Sequence, residues 1–171
     1  YIPDIIVDLK YATNSNFTGS VIYSFKSAYI RYGTLTELSH VAEILRSHGY
    51  RIKIWDAFRP FEAQLALWNA YPDGNYVANP AKGYTSHNLG NTLDLTITYI
   101  DGTEIDMPTP FDDFSAKADR NYSDVTPAQA SNSAFLESIM TECGFKGYIN
   151  EWWHYEDIDT YTPDTSFLPP N

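Results

Sequence analysis

The chain of 171 residues has one cysteine, four histidines and only 11 Lys and Arg, and no apolar run in it approaches a membrane span. A single cysteine excludes an internal disulfide and any zinc or iron–sulfur centre built on several thiolates. Eleven basic against 22 acidic residues leave a formal charge of −11. The positive footprint that phosphate neutralisation demands is therefore missing, which argues against nucleic acid and against an anionic membrane surface as partners. A membrane helix needs about 20 consecutive apolar residues, and Tyr1-Ile2-Pro3-Asp4 has neither the basic nor the apolar region of a signal peptide. A transition-metal site in this chain would have to be built from His and carboxylate.

What is present describes a folded domain. Hydrophobic residues make up 43% of the chain, with 14 Tyr, 9 Phe and 4 Trp, a composition that disordered segments lack. The length suits one domain, residues 1–171, able to bury roughly 70% of its unfolded surface. Thr34 and Glu37 have capping-box spacing and predict a helix start at Thr34, with Leu35, Leu38, Val41, Ala42 and Leu45 as its apolar stripe and Gly49 as its stop. His40 in this helix and His48 just after it read as exposed or partly exposed helix histidines. Tyr50 to Trp55 alternates as a strand that delivers the loop Asp56-Ala57-Phe58-Arg59-Pro60. Pro60 suits the first turn of a second helix with Phe61, Leu65 and Trp68 on one face.

Tyr71 to Tyr84 reads as loop. Thr92 to Thr98 alternates strictly, which places Asp94 on the polar face of a strand, towards a cleft or solvent. Residues 101–127 are a long excursion rich in Asp and Pro. A third helix is predicted from Ser131 to Cys143, with Cys143 completing its apolar stripe as a small core residue. Residues 163–171 form a Pro-containing tail that Phe167 and Leu168 would pin to the body.

Two histidines stand in dense polar and aromatic surroundings, in Thr85-Ser86-His87-Asn88-Leu89-Gly90-Asn91-Thr92-Leu93-Asp94 and in Glu151-Trp152-Trp153-His154-Tyr155. His87, Asp94 and His154 make a His₂–carboxylate set. Three protein ligands leave a fourth tetrahedral position for water, the arrangement of catalytic zinc, and imidazole with carboxylate suits that ion. Gly90 fits a turn ahead of the strand that carries Asp94. Glu151 is the natural general base. It lies three positions before His154, and on a regular strand the two side chains would point to opposite faces, so the segment must bend if both serve one site. Arg59 either stabilises a developing oxyanion or simply pairs with Asp56.

These residues carry a resemblance. The chain resembles the zinc D-alanyl-D-alanine dipeptidases associated with vancomycin resistance, and more widely the zinc DD-peptidases that share a fold with the hedgehog signalling domain. Asp8 to Thr13 followed by Asn16-Phe17-Thr18-Gly19, the loop Trp55 to Pro60, Ser86 to Thr96, Gly144-Phe145 and Glu151 to Tyr155 follow the family order. The resemblance implies an α+β fold with a small, mainly antiparallel sheet flanked by helices and zinc in a cleft at the sheet. It implies one Zn²⁺ on His87, Asp94 and His154, Glu151 as base, Arg59 on the tetrahedral intermediate, and Tyr11 and Ser86 lining a small pocket.

Asp112, with Asp113 as its rival in register, matches the acid that receives the substrate ammonium. Thr85, Leu89 and Thr92 depart from the residues common in the family. The implied reaction is hydrolysis of D-Ala-D-Ala. The alternatives are a zinc carboxypeptidase or endopeptidase acting on longer peptidoglycan stems, and a zinc-binding domain without catalysis. Scarce Lys and Arg and a first residue other than Met favour export to the cell envelope, whereas use of an intracellular dipeptide pool would require the cytoplasm.

Overall fold

The computed structural model describes residues 2–170; Tyr1 and Asn171, the last residue of the expected tail, lie outside the described residues. In chain order the elements are β1 (Ile6–Val7), α1 (Tyr32–Ser47), β2 (Tyr50–Asp56), α2 (Phe61–Ala70), α3 (Ser86–Leu89), β3 (Thr92–Tyr99), α4 (Pro127–Glu142), β4 (Phe145–Tyr148) and β5 (Glu151–Asp157). The strands form one sheet in the order β1-β2-β3-β5-β4. Only β1 runs parallel to its neighbour; β2, β3, β5 and β4 pair antiparallel. The α+β fold with a mainly antiparallel sheet is as expected. α1 packs on β2, α4 on β4, and the two helices touch each other, so they form one layer over the sheet. None of the described helices is long and apolar enough to cross a membrane.

Several local expectations give way to tertiary contacts. α1 begins at Tyr32 after an extended Arg31, and Thr34 is not its cap. Thr34 is fully buried, and its hydroxyl donates to Asp157 Oδ2 at 2.6 Å, a partner 123 residues away that outcompetes a local cap. In the same turn Gly33 packs closely under Tyr161, where a Cβ would sit 2.5 Å from Oη and the tyrosine would have to shift. Of the predicted stripe, Leu38, Val41, Ala42 and Leu45 are buried and Leu35 is half-buried.

α2 turns a different face inward from the predicted one. Ala63, Gln64 and Leu67 are buried, whereas Leu65 is exposed and Phe61 and Trp68 are half-buried. The inward polar residue, Gln64, has partners on both sides, Arg59 Nη1 and Ala78 O. α4 starts a turn earlier than Ser131. Thr126 caps it in a reciprocal box with Gln129, and Pro127 occupies the first turn. That turn carries no apolar residue larger than Ala, so periodicity could not register it. Cys143 ends the helix as a buried residue. In the tail, Phe167 packs edge-on against Tyr29 and Phe58, but Leu168 is exposed and pins nothing.

β3 is the expected strand with Asp94 towards a cleft, but the rest of its polar row is more enclosed than alternation alone suggests. Both its faces are covered, so Thr92, Asp94, Thr96 and Thr98 are buried along with Leu93, Leu95 and Ile97. A buried polar row has to be paired internally. Its neighbours are irregular where that pairing happens. On β2 a bulge at Trp55 brings Asp56, in place of Trp55, opposite Asp94. A one-residue change of register exchanges which side chains share a face.

The helix cap can be tested directly. Thr126→Ala removes one side of a capping box, which costs about 1 kcal/mol and should lower the Tm by about 2–4 °C in a domain of this size. Calorimetry showing an unchanged Tm would contradict the assigned start of α4.

Candidate active site

Asp94 on the central strand β3 stands opposite Asp56 on β2 and opposite His154 on β5. Residues opposite one another on neighbouring strands share a face, so the register alone builds a row Asp56, Asp94, His154 across three strands. The expected bend at Glu151 is a second irregularity. Gly147 of β4 pairs with Tyr155, but the next residue, Tyr148, pairs with Glu151, so Trp152, Trp153 and His154 have no β4 residue opposite them. This wide bulge reconciles the i, i+3 spacing with a common site, and Glu151 Oε2 lies 3.6 Å from His154 Nδ1.

His87 arrives from α3, a single turn that ends at Gly90 in the left-handed conformation (φ +77°), which glycine adopts without steric cost. Asn88 Oδ1 accepts from the Thr85 backbone N–H and from its hydroxyl. Asn88 Nδ2 donates to Arg59 O at 2.7 Å, Arg59 N–H to His87 O at 3.1 Å, and His87 Nδ1 contacts Ala57 O at 2.9 Å. These bonds fasten the arginine loop to the His87 turn. The Ala57 carbonyl also fixes the proton of His87 on Nδ1 and leaves Nε2 as the free donor atom, facing Asp94 Oδ2 at 3.3 Å.

His154 Nδ1 lies 3.1 Å from Asp94 Oδ1, and one donor atom from each of His87, Asp94 and His154 falls within 4.8 Å of the others. Two imidazole nitrogens, a carboxylate oxygen and a carbonyl-oriented ring behind them fit a zinc-type site.

Arg59 makes the expected pair with Asp56 and also borders the cleft. Nε and Nη2 donate to Asp56 Oδ2 at 3.0 and 2.7 Å, and Nη1 donates to Gln64 Oε1 at 2.9 Å. A guanidinium has five N–H donors; these bonds engage three of them, and the group still borders the cleft with Nη2 3.7 Å from Asp94 Oδ2. Asp56 is fully buried and its other oxygen accepts from Tyr23 Oη at 2.7 Å, so the pair is anchored from behind.

The cleft has a volume of about 360 Å³, and Tyr11, Ser86, Asp112, Glu151 and Trp153 are among its walls. Tyr11 Oη donates to both oxygens of Asp112, at 3.2 and 3.0 Å. Asp112 holds a left-handed backbone (φ +59°), a strained conformation for a residue with a Cβ. Asp113 instead accepts from the Ser115 backbone N–H in a local turn. Of the two rivals, Asp112 is the one that lines the cleft. Sequence reasoning did not find Gln64, Tyr76, Phe114 or Tyr148, which also line it. They lie on a helix, two loops and a strand with no pattern that marks a shared wall.

The electrostatics are one-sided. Burial raises the pKa of Glu151 well above the usual carboxylate range, and the charges of Asp94 and Asp112 raise it further. Burial and the charge of Asp94 do the same to Asp112. Burial also works against ionisation of Asp94, but the adjoining His87 and His154 imidazoles hold its carboxyl well below that range. Burial lowers the pKa of His154 against the pull of Asp94, which favours the neutral form that a metal ligand needs. Arg59 is the buried cation among these groups, and Asp56 already takes part of its charge.

An α+β fold that sets a His₂–carboxylate donor group beside a buried glutamate is the architecture of a metal-dependent peptidase. The family model of the D-ala-D-ala dipeptidases matches residues 1–168. The chain is 36% identical over 154 residues to a D-alanyl-D-alanine dipeptidase of Escherichia coli, spanning 90% of this chain and 79% of that one. It is 33% identical over 184 residues to a D-alanyl-D-alanine dipeptidase of Enterococcus faecalis, spanning 94% and 89%. Among solved structures, the vancomycin-resistance D,D-pentapeptidase VanY in complex with Zn(II) shares the fold, with a TM-score of 0.51 at 15% identity over 80% of this chain and 76% of that one. The chain belongs to the D-Ala-D-Ala dipeptidase family.

The anchoring of Arg59 makes a stability prediction. Asp56→Ala leaves a buried guanidinium without its counter-charge, which costs about 3–5 kcal/mol. Urea denaturation should show that loss, and a cost below 1 kcal/mol would mean that the pair does not organise the site.

Proposed function

We propose that this chain hydrolyses the free dipeptide D-Ala-D-Ala to two D-Ala, with one zinc ion held by His87, Asp94 and His154. The observation that carries the proposal is the coincidence, in one cleft, of that donor set with Glu151 on one side and the strained, half-buried Asp112 on the other. A bound zinc ion supplies Lewis-acid chemistry, polarising the scissile carbonyl and lowering the pKa of water to about 7.

The remaining work falls to the protein. Glu151 takes the proton of the attacking water and returns it to the departing amine; its raised proton affinity suits a group that must hold the proton between those two events. Arg59 uses its uncommitted N–H donors to hold the negative charge that develops on the carbonyl oxygen. Asp112, steadied by Tyr11, receives the substrate ammonium. An ammonium there relieves the mutual repulsion of Asp112, Asp94 and Glu151, so the cleft favours a peptide with a free amino end. Ser86 lies on the wall beside His87 and contacts the substrate backbone.

The experiment is a comparison of kcat/KM for free D-Ala-D-Ala, N-acetyl-D-Ala-D-Ala and a peptidoglycan stem peptide. The free dipeptide should be preferred, and preference for the blocked or longer peptides would replace this reading with that of a carboxypeptidase or endopeptidase. Glu151→Gln should lose at least about a hundredfold in kcat, as general acid–base catalysis contributes, with its zinc content unchanged. Retained turnover in that variant would remove Glu151 from the proton path.

A further inference from the structure

Arg120 lies in the irregular excursion between β3 and α4, yet its side chain is only 5% exposed. Its contacts converge on the hairpin that carries Glu151 and His154. Nε donates to Tyr148 O at 2.9 Å, and Nη2 donates to Trp152 O at 3.1 Å and to His154 O at 2.9 Å. Its own backbone N–H donates to Ile149 O at 2.9 Å. The guanidinium lies over the Tyr155 ring, 4.5 Å from its centroid, and Nη1 reaches Glu137 Oε2 of α4 at 3.2 Å. It packs so closely on Gly147 that a Cβ there would collide with Cζ.

This is the stretch where β5 carries three residues with no partner on β4. A bulge leaves ladder groups unpaired, and an unpaired buried carbonyl costs about as much as a lost hydrogen bond. One planar group fills that gap on both sides of the hairpin, with Nε on the β4 carbonyl and Nη2 on the two β5 carbonyls, while Nη1 is held by Glu137 and the Tyr155 hydroxyl. A regular ladder would satisfy the same carbonyls, but it would turn Glu151 and His154 to opposite faces.

We infer that Arg120 is a positioning residue: it replaces the missing β4 partners of the bulge and thereby holds Glu151 and His154 on the same side of the sheet, facing the cleft. The inference rests on the roles proposed above for those two residues. Lysine cannot substitute, because a single ammonium lacks the planar fork that spans both strands.

The test compares wild-type protein with Arg120→Met, Arg120→Lys and Thr126→Ala, the last a destabilised control remote from the bulge, at a temperature where each is folded by circular dichroism. Zinc affinity is measured by chelator competition, and kcat and KM separately on the free dipeptide. Loss of a group that orients a metal ligand typically costs 10–100-fold in affinity or activity. Arg120→Met and Arg120→Lys should both bind zinc at least about tenfold more weakly and lose kcat by a similar factor with KM little changed, while the control stays at wild-type values.

Zinc affinity and kcat within twofold of wild type in Arg120→Lys, or in a folded Arg120→Met, would overturn the inference, as would an equal loss in the control. Zinc affinity also separates this inference from the functional reading. A wild-type protein that binds zinc but leaves D-Ala-D-Ala intact would sink that reading alone, and the drop in affinity on substitution would still decide the role of Arg120.

Discussion

The site depends on a single buried carboxylate. Asp94 sits on the central strand, opposite Asp56 on one neighbour and His154 on the other, with His87 and Arg59 closing on it from the loops. An ionised carboxylate so deeply buried persists only where it is paired and hydrogen-bonded, and here the His154 imidazole at 3.1 Å and the Arg59 guanidinium at 3.7 Å meet that demand. Backbone pairing therefore fixes the spacing of the functional groups before any ligand is present. Irregularities on both sides follow from the same requirement, because neither the β2 bulge nor the β5 bulge could be straightened without turning a functional side chain out of the row.

The charge balance of the cleft follows from this arrangement. Asp94, Asp112 and Glu151 converge where Arg59 is the buried cation, and the structure raises two of the three pKa values to cope with the excess. Buried like charges are costly unless something offsets them. A divalent cation and a substrate ammonium are the charges that would, which gives one electrostatic reason for the metal and for a free amino terminus on the substrate. The protein's overall acidity is a separate matter, spread mostly over solvated surface.

How much of this was legible in the sequence differs from residue to residue. His87, Asp94 and His154 stood out because a chain with four histidines and one cysteine offers few ways to hold a metal, and the spacing of Glu151 from His154 already demanded a bend. The strand and helix patterns marked the elements, while the α+β arrangement was implied by the family resemblance. The errors share one cause, long-range partners that leave no local trace. Thr34 has the spacing of a cap, but its hydroxyl serves Asp157. Gln64 faces inward because Arg59 waits there, so the apolar residues of α2 misreport its buried side. Arg120 was invisible, since it sits in a segment without periodicity and acts on strands about 30 residues further along.

The most direct measurement of the central claim is a crystal structure of the zinc-loaded protein with anomalous data at the zinc edge. The account predicts one peak per chain within about 2.0–2.2 Å of a ligand atom from each of His87, Asp94 and His154, with Glu151 alongside but not ligated. A peak elsewhere, or zinc bound without Asp94, would contradict it.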